Sequence, residues 1–143
     1  MIAPPPHQPP NAPAPPARHM RAGTLIASFR YAFAGVGYLL WTQRNAKIHS
    51  AIGLLAIALG LVLQIDHYEW LALLLMITLV IAAEGVNTAL EAVVDLASPE
   101  YHPLAKVAKD VGAGTVLITA IAAVIVGMVL FLPRLWAIAL SLL

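Results

Sequence analysis

The chain has 143 residues, 61% of them hydrophobic and 10% charged, and its mean hydropathy of +0.86 lies outside the balance of a soluble globular domain. Eight basic and seven acidic side chains leave a formal net charge of +1, so bulk electrostatics offer a nucleic acid no hold. The absence of cysteine excludes disulfides, thiolate nucleophiles and cysteine-ligated zinc.

An all-α integral membrane protein is expected, and about 20 apolar residues per crossing set a ceiling of three or four crossings. Residues 1–21 hold eight of the eleven prolines and no periodic apolar pattern. They read as a disordered cytoplasmic tail, retained because prolines stand where a signal peptide would need a continuous apolar run. From about Ala22 to Arg44, Leu25, Phe29, Phe33, Val36 and Leu40 recur at spacings of three and four, the pattern of an amphipathic helix on the membrane surface. Ile48 to Ile65 contains no Lys, Arg, Asp or Glu and predicts a first transmembrane helix. The polar turn DHYEW then leads into a second span from Trp70 to about Leu96, ended by SPEYHP. A third span begins near Leu104 and is expected to stop at Pro133 and Arg134, which leaves residues 135–143 as a short apolar tail. The membrane-embedded unit is thus 22–134.

Arg18, Arg21, Arg30, Arg44 and Lys47 precede the first span, and Lys106 and Lys109 follow the second. The positive-inside rule therefore puts the N-terminus and the second loop in the cytoplasm, with Arg134 as a dissenting charge. Three unequal helices enclose a site poorly, so a homo-oligomer is expected.

The stretch AEGVNTALEAVVD places Glu84, Asn87, Glu91 and Asp95 within an otherwise apolar span. At about 100° per residue these four lie within roughly 60° of one line along a helix. Ionisable groups in a span are costly unless they face a partner, a cavity or an ion, and three carboxylates on one stripe repel each other unless a cation or a proton intervenes. Lys109 is the nearest fixed cation in sequence, at the level of Asp95. One lysine does not balance Glu84, Glu91, Asp95 and Asp110, whereas magnesium would. It prefers carboxylate oxygens and commonly bridges to substrate phosphates, which points to nucleotide chemistry at the cytoplasmic face. His49 and His102 read as structural histidines, and no Walker lysine motif is present.

AEGVNTALEAVVD followed by SPEYHPLAKVAKDVGAG resembles the prokaryotic diacylglycerol kinase family of small membrane kinases, over roughly Phe29 to Leu132. QRNAKIH and SPEYHPLAKVAKD look closer to its undecaprenol kinase branch. The resemblance implies a homotrimer in the bacterial inner membrane, each protomer with a surface helix and three transmembrane helices, and active sites shared between protomers on the cytoplasmic side. It implies transfer of the ATP γ-phosphate, with Mg2+, to a membrane lipid hydroxyl, undecaprenol first and diacylglycerol second. By position, Glu84 is similar to the family's catalytic base, Asn87 to the residue orienting the base or phosphate, and Glu91 to the metal-binding glutamate. Asp95 falls near metal and nucleotide, Lys109 and Asp110 correspond to residues lining the nucleotide site, and Glu100 and His102 match loop positions beside it. TQRN departs from the family's TERN-like pattern and puts Gln43 where a second metal-binding carboxylate is expected. Two other readings compete: a catalytically weakened scaffold, suggested by Gln43, and a small proton-coupled transporter, suggested by buried carboxylates.

Overall fold

The computed structural model describes residues 25–142, and both the proline-rich segment 1–21 and the final residue of the 135–143 tail lie outside them. Four helices follow in order: α1 (Leu25–Thr42), α2 (Arg44–Val62), α3 (His67–Ala97) and α4 (Pro103–Ser141). The last three are long and apolar enough to cross a membrane. At about 1.5 Å per residue they measure roughly 28, 46 and 58 Å. α3 packs most extensively on α4, then on α2, and α1 leans on α2 and α3.

The break between the first two helices is a single residue. Gln43 adopts an extended conformation (φ −88°, ψ 119°) as the N-cap of α2. QRNAKIH therefore belongs almost wholly to α2, and the first spanning helix starts earlier than its apolar run.

α1 exposes large apolar side chains on more than one side. Leu25, Phe29, Phe33 and Val36 are exposed as a stripe, but Ile26, Tyr31, Tyr38 and Trp41 are exposed around the rest of the circumference. Arg30 is its only charge.

The α2–α3 hairpin closes tightly. Gln64 takes a left-handed conformation (φ 50°), and the Ile65 N–H returns to the Gly60 carbonyl at 3.2 Å, the pattern of a Schellman helix end. Glycine at position 60 gives this turn room, since a Cβ there would press on Ile65 Cδ1 at 3.0 Å and the Trp70 ring at 3.1 Å. Asp66 caps α3 by accepting the Tyr68 N–H (2.7 Å) and the Glu69 N–H (3.1 Å), while Glu69 accepts the Asp66 N–H (2.8 Å). Those backbone donors, the Glu69 N–H foremost, hold the Asp66 carboxyl below its ordinary pKa. This reciprocal cap starts α3 at His67, three residues before the expected Trp70.

α4 does not stop at Pro133, contrary to the sequence expectation, but runs on to Ser141 with the proline inside it. In apolar surroundings no water competes for backbone groups, and a spanning helix absorbs a proline by local adjustment. Arg134, the dissenting charge, is neutralised: Nη1 and Nη2 donate to the Glu69 carboxylate at 2.8 and 2.7 Å, and Nη1 also donates to the Leu130 carbonyl at 2.9 Å.

The apolar core sits at this hairpin end. Ile65, Leu73, Leu130 and Phe131 are buried together, flanked by Leu59, Trp70, Ile77 and Val126. The opposite half of the bundle, around the C-terminal half of α3, carries Glu84, Asn87, Glu91 and Asp95.

Candidate active site

α3 passes its polar stripe between α2 and α4. Glu84 is 3% exposed and is the one buried charged residue among those described. It lines a cavity of about 370 Å³ with Asn87 and Glu91 from α3, Asn45 and His49 from α2, and Ala113, Val116, Leu117 and Ala120 from α4. Helical spacing produces this convergence: residues 84, 87 and 91 are three and four apart and so share a face.

Asn87 Nδ2 donates to Glu91 Oε1 at 2.9 Å, one turn along the helix. Two oxygens in the cavity are buried with no hydrogen bond, Glu84 Oε1 and Asn87 Oδ1. His49 Nε2 stands 3.4 Å from Glu84 Oε1, within ion-pair range yet not aligned as a hydrogen bond. A buried carboxylate oxygen left without a donor is costly, which marks a position kept for something other than stability.

Close approach of α4 shapes the same wall. A Cβ on Gly112 would overlap Asn87 Oδ1 and press on Leu90 at 3.0 Å, so the glycine lets α4 lie against the amide.

A second cavity, of about 420 Å³, lies at the α3–α4 loop and is lined by Asp95, Glu100, His102, Lys106, Lys109 and Asp110, among others. Lys109 Nζ donates to Asp95 Oδ1, and Lys106 Nζ to Asp110 Oδ2. His102 is spent in part on architecture, since its Nδ1 accepts the Leu104 N–H at 3.2 Å and caps α4. The Ser98 hydroxyl donates to the Glu100 carbonyl at 3.0 Å and orders the loop.

The structure thus divides the expected site residues between two places. Glu84, Asn87 and Glu91 share the inner cavity, and Asp95, Glu100, His102, Lys109 and Asp110 share the outer one. Gln43 lines neither; its Nε2 donates to Thr42 Oγ1 at 3.4 Å. Among the described residues no three His, Cys, Asp or Glu side chains converge as a ready-made metal cage. Magnesium does not require one, because it is commonly held by one or two carboxylates together with substrate phosphates and waters.

His49 and Lys106 were read from sequence as structural and topological, and both line these cavities. Lys106 carried a signal in its i, i+4 spacing from Asp110. His49 carried none, because nothing within α2 states which of its faces meets α3.

Residues 30–131 match the family model described as prokaryotic diacylglycerol kinase. Over 115 residues the chain is 50% identical to a diacylglycerol kinase of Synechocystis sp., covering 80% of this chain and 66% of that protein. It is 37% identical over 111 residues to an undecaprenol kinase of Bacillus subtilis, covering 78% of this chain and 90% of the relative. With a diacylglycerol kinase of Escherichia coli K12 it shares 40% identity over 106 residues, 74% of this chain and 87% of the relative. The chain therefore belongs to the prokaryotic diacylglycerol kinase family, and with it to the phosphotransferases that act on membrane lipids.

Proposed function

We propose that the protein transfers the γ-phosphoryl group of ATP to the hydroxyl of a lipid alcohol within the membrane. The observation that carries the reading is a buried carboxylate, Glu84, in a polar cavity beside Asn87 and Glu91, on the same helix as an outer cavity holding Lys109 and Asp95. Phosphoryl transfer asks for positioning and charge neutralisation more than for covalent chemistry, so these few groups are enough.

In the proposed reaction Glu84 takes the proton from the acceptor hydroxyl. The acceptor oxygen bonds to the γ-phosphorus, the bond from that phosphorus to the bridging oxygen breaks, and its electron pair leaves on ADP. Asn87 holds Glu91 through its amide and in this way orients the groups beside the base. Lys109 approaches the phosphates as a fixed positive charge, exchanging its present partner Asp95 for phosphate oxygens. Glu100, His102 and Asp110 line the nucleotide's side of the outer cavity.

Glu91 and Asp95, one turn apart on α3, offer Mg2+ hard carboxylate oxygens, and Gln43, which lines neither cavity here, would add an amide oxygen only if α1 and α2 bring it to them. When bound with ATP, the ion supplies neutralisation of the phosphate charge. Half-open cavities on a single chain are consistent with a homotrimer whose protomers complete each other's sites. The basic residues Arg44, Lys47, Lys106 and Lys109 favour a cytoplasmic mouth in a bacterial inner membrane.

The acceptor proposed first is undecaprenol, on QRNAKIH and SPEYHPLAKVAKD, and diacylglycerol second. Relatives carry both names, and identity to them does not choose. The test is transfer of labelled γ-phosphate from ATP and Mg2+ by purified protein in mixed micelles, with the two lipids in parallel. Label on undecaprenol supports the first acceptor, label on diacylglycerol replaces it with the second, and label on neither withdraws the kinase reading in favour of a scaffold or transporter.

Gln43→Glu is expected to lower the Mg2+ concentration for half-maximal activity by about tenfold, since a carboxylate adds charge where an amide offers only a dipole. A magnesium titration checks this, and an unchanged profile removes Gln43 from the metal site. Activity gained only in the variant would instead identify the natural chain as a scaffold.

A further inference from the structure

We infer that His49 is a positioning residue for the reaction, holding the Glu84 carboxylate so that one oxygen faces the acceptor hydroxyl. The inference rests on the proposed role of Glu84 as the base.

Its first support is geometric. Glu84 Oε1 is buried and accepts no hydrogen bond, and the side chain reaching toward it from another helix is His49, with Nε2 at 3.4 Å. Closing that gap to a hydrogen bond takes about 0.5 Å, and catalytic hydrogen bonds are often long in the free enzyme and tighten when substrate binds. Asn45, the other donor that α2 brings to the cavity, makes no hydrogen bond to Glu84. On α3 the nearby polar groups are Asn87 and Glu91, which are engaged with each other. The α4 wall is Ala113, Val116, Leu117 and Ala120, and α2 adds Asn45.

Position gives a second, independent support. His49 lines the polar cavity and also a neighbouring apolar one of about 320 Å³, bounded by Ile52, Leu59, Leu73, Ile77, Val80 and Phe131, among others. A side chain at the junction of a greasy space and a carboxylate stands where an alkyl chain ends and a hydroxyl begins. From there it fixes the carboxylate rotamer at the point where the two meet. A histidine whose only task was to fill space would need no polar atom aimed at Glu84.

The experiment compares His49→Leu and His49→Gln in the full-length protein, measuring kcat and KM for ATP and for lipid alongside thermal unfolding in detergent, with Glu84→Gln as the reference. His49→Leu is expected to lose about 10- to 100-fold in kcat with KM for ATP unchanged, because a misplaced group costs turnover more than nucleotide binding. His49→Gln, which keeps a donor of similar reach, is expected to retain most of the activity. In the Glu84→Gln background, His49→Leu is expected to add no further loss. Full activity in His49→Leu while Glu84→Gln is inactive overturns the inference and leaves the base intact. Equal losses in the Leu and Gln variants also overturn it, by assigning His49 to packing. Full activity in Glu84→Gln itself removes the base, and the inference with it.

Discussion

Replacing Glu84 with Gln is expected to lower lipid phosphorylation by about 10²- to 10⁴-fold, the range a general base contributes, while leaving the protein at least as stable as before. The two halves of that result come from the same fact. Glu84 is 3% exposed and its Oε1 has no hydrogen bond, so the carboxylate costs folding energy that a neutral amide of equal size does not. An ionisable group at the centre of a span costs roughly 2.5–3.5 kcal/mol on insertion scales, and less toward its ends. Thermal unfolding in detergent, run beside the phosphate-transfer assay, reads both halves together. A variant that keeps its turnover would show that the residue is structural; one that loses turnover and stability together would place it in the packing.

The second large effect is expected at the other end of the bundle. Arg134 and Glu69 form a two-pronged pair, with N–O distances of 2.8 and 2.7 Å, between the start of α3 and the last turns of α4. Glu69→Leu would leave the guanidinium among apolar side chains with only the Leu130 carbonyl. The expected result is a lower denaturation midpoint, with a smaller loss than breaking a wholly buried pair would cause, because both groups keep some exposure. Arg134→Met is expected to cost less, since Glu69 still accepts the Asp66 N–H. The double variant Glu69→Leu, Arg134→Met is expected to recover part of the loss, because no charge remains unpaired. Chemical denaturation of the four proteins gives the coupling, and strictly additive losses would mean that the pair does not act as one.

The two regions differ in how much the sequence disclosed. Hydropathy located the three spanning helices, because apolar length is a property of a segment by itself. The face shared by Glu84, Asn87 and Glu91 was legible for the same reason: a helix repeat fixes it whatever surrounds the helix. The break at Gln43 was not, since no glycine or proline marks it and a single extended residue suffices. Nor was the helical path through Pro133, where the breaker rule from water fails in an apolar setting. Asp66 and Glu69 have the spacing of a reciprocal cap, yet the segment read more simply as a polar turn. What periodicity could not supply was any contact between helices. His49 against Glu84, Lys109 with Asp95 and Arg134 with Glu69 each depend on how two cylinders are rotated about their axes. Asp95 joined the outer cavity because it stands one turn beyond Glu91 on the same stripe, at the level of Lys109.

The length of α2 carries a consequence for how a lipid product leaves. At 19 residues, about 28 Å, this helix nearly matches the ~30 Å hydrocarbon thickness, so a bilayer fitted to its length would have one edge near its first residue, Arg44. His49 follows five residues later, roughly 8 Å inward, and Glu84 lies beside it. An alcohol headgroup can sink that far almost freely, because a hydroxyl is a modest burden in hydrocarbon. Once phosphorylated, the same headgroup bears about −1.5 to −2 charges at a depth where charge is poorly tolerated. If the proposed reaction runs at Glu84, the low dielectric that admits a neutral substrate would expel the charged product toward water, and the depth of the carboxylate would set the direction of traffic.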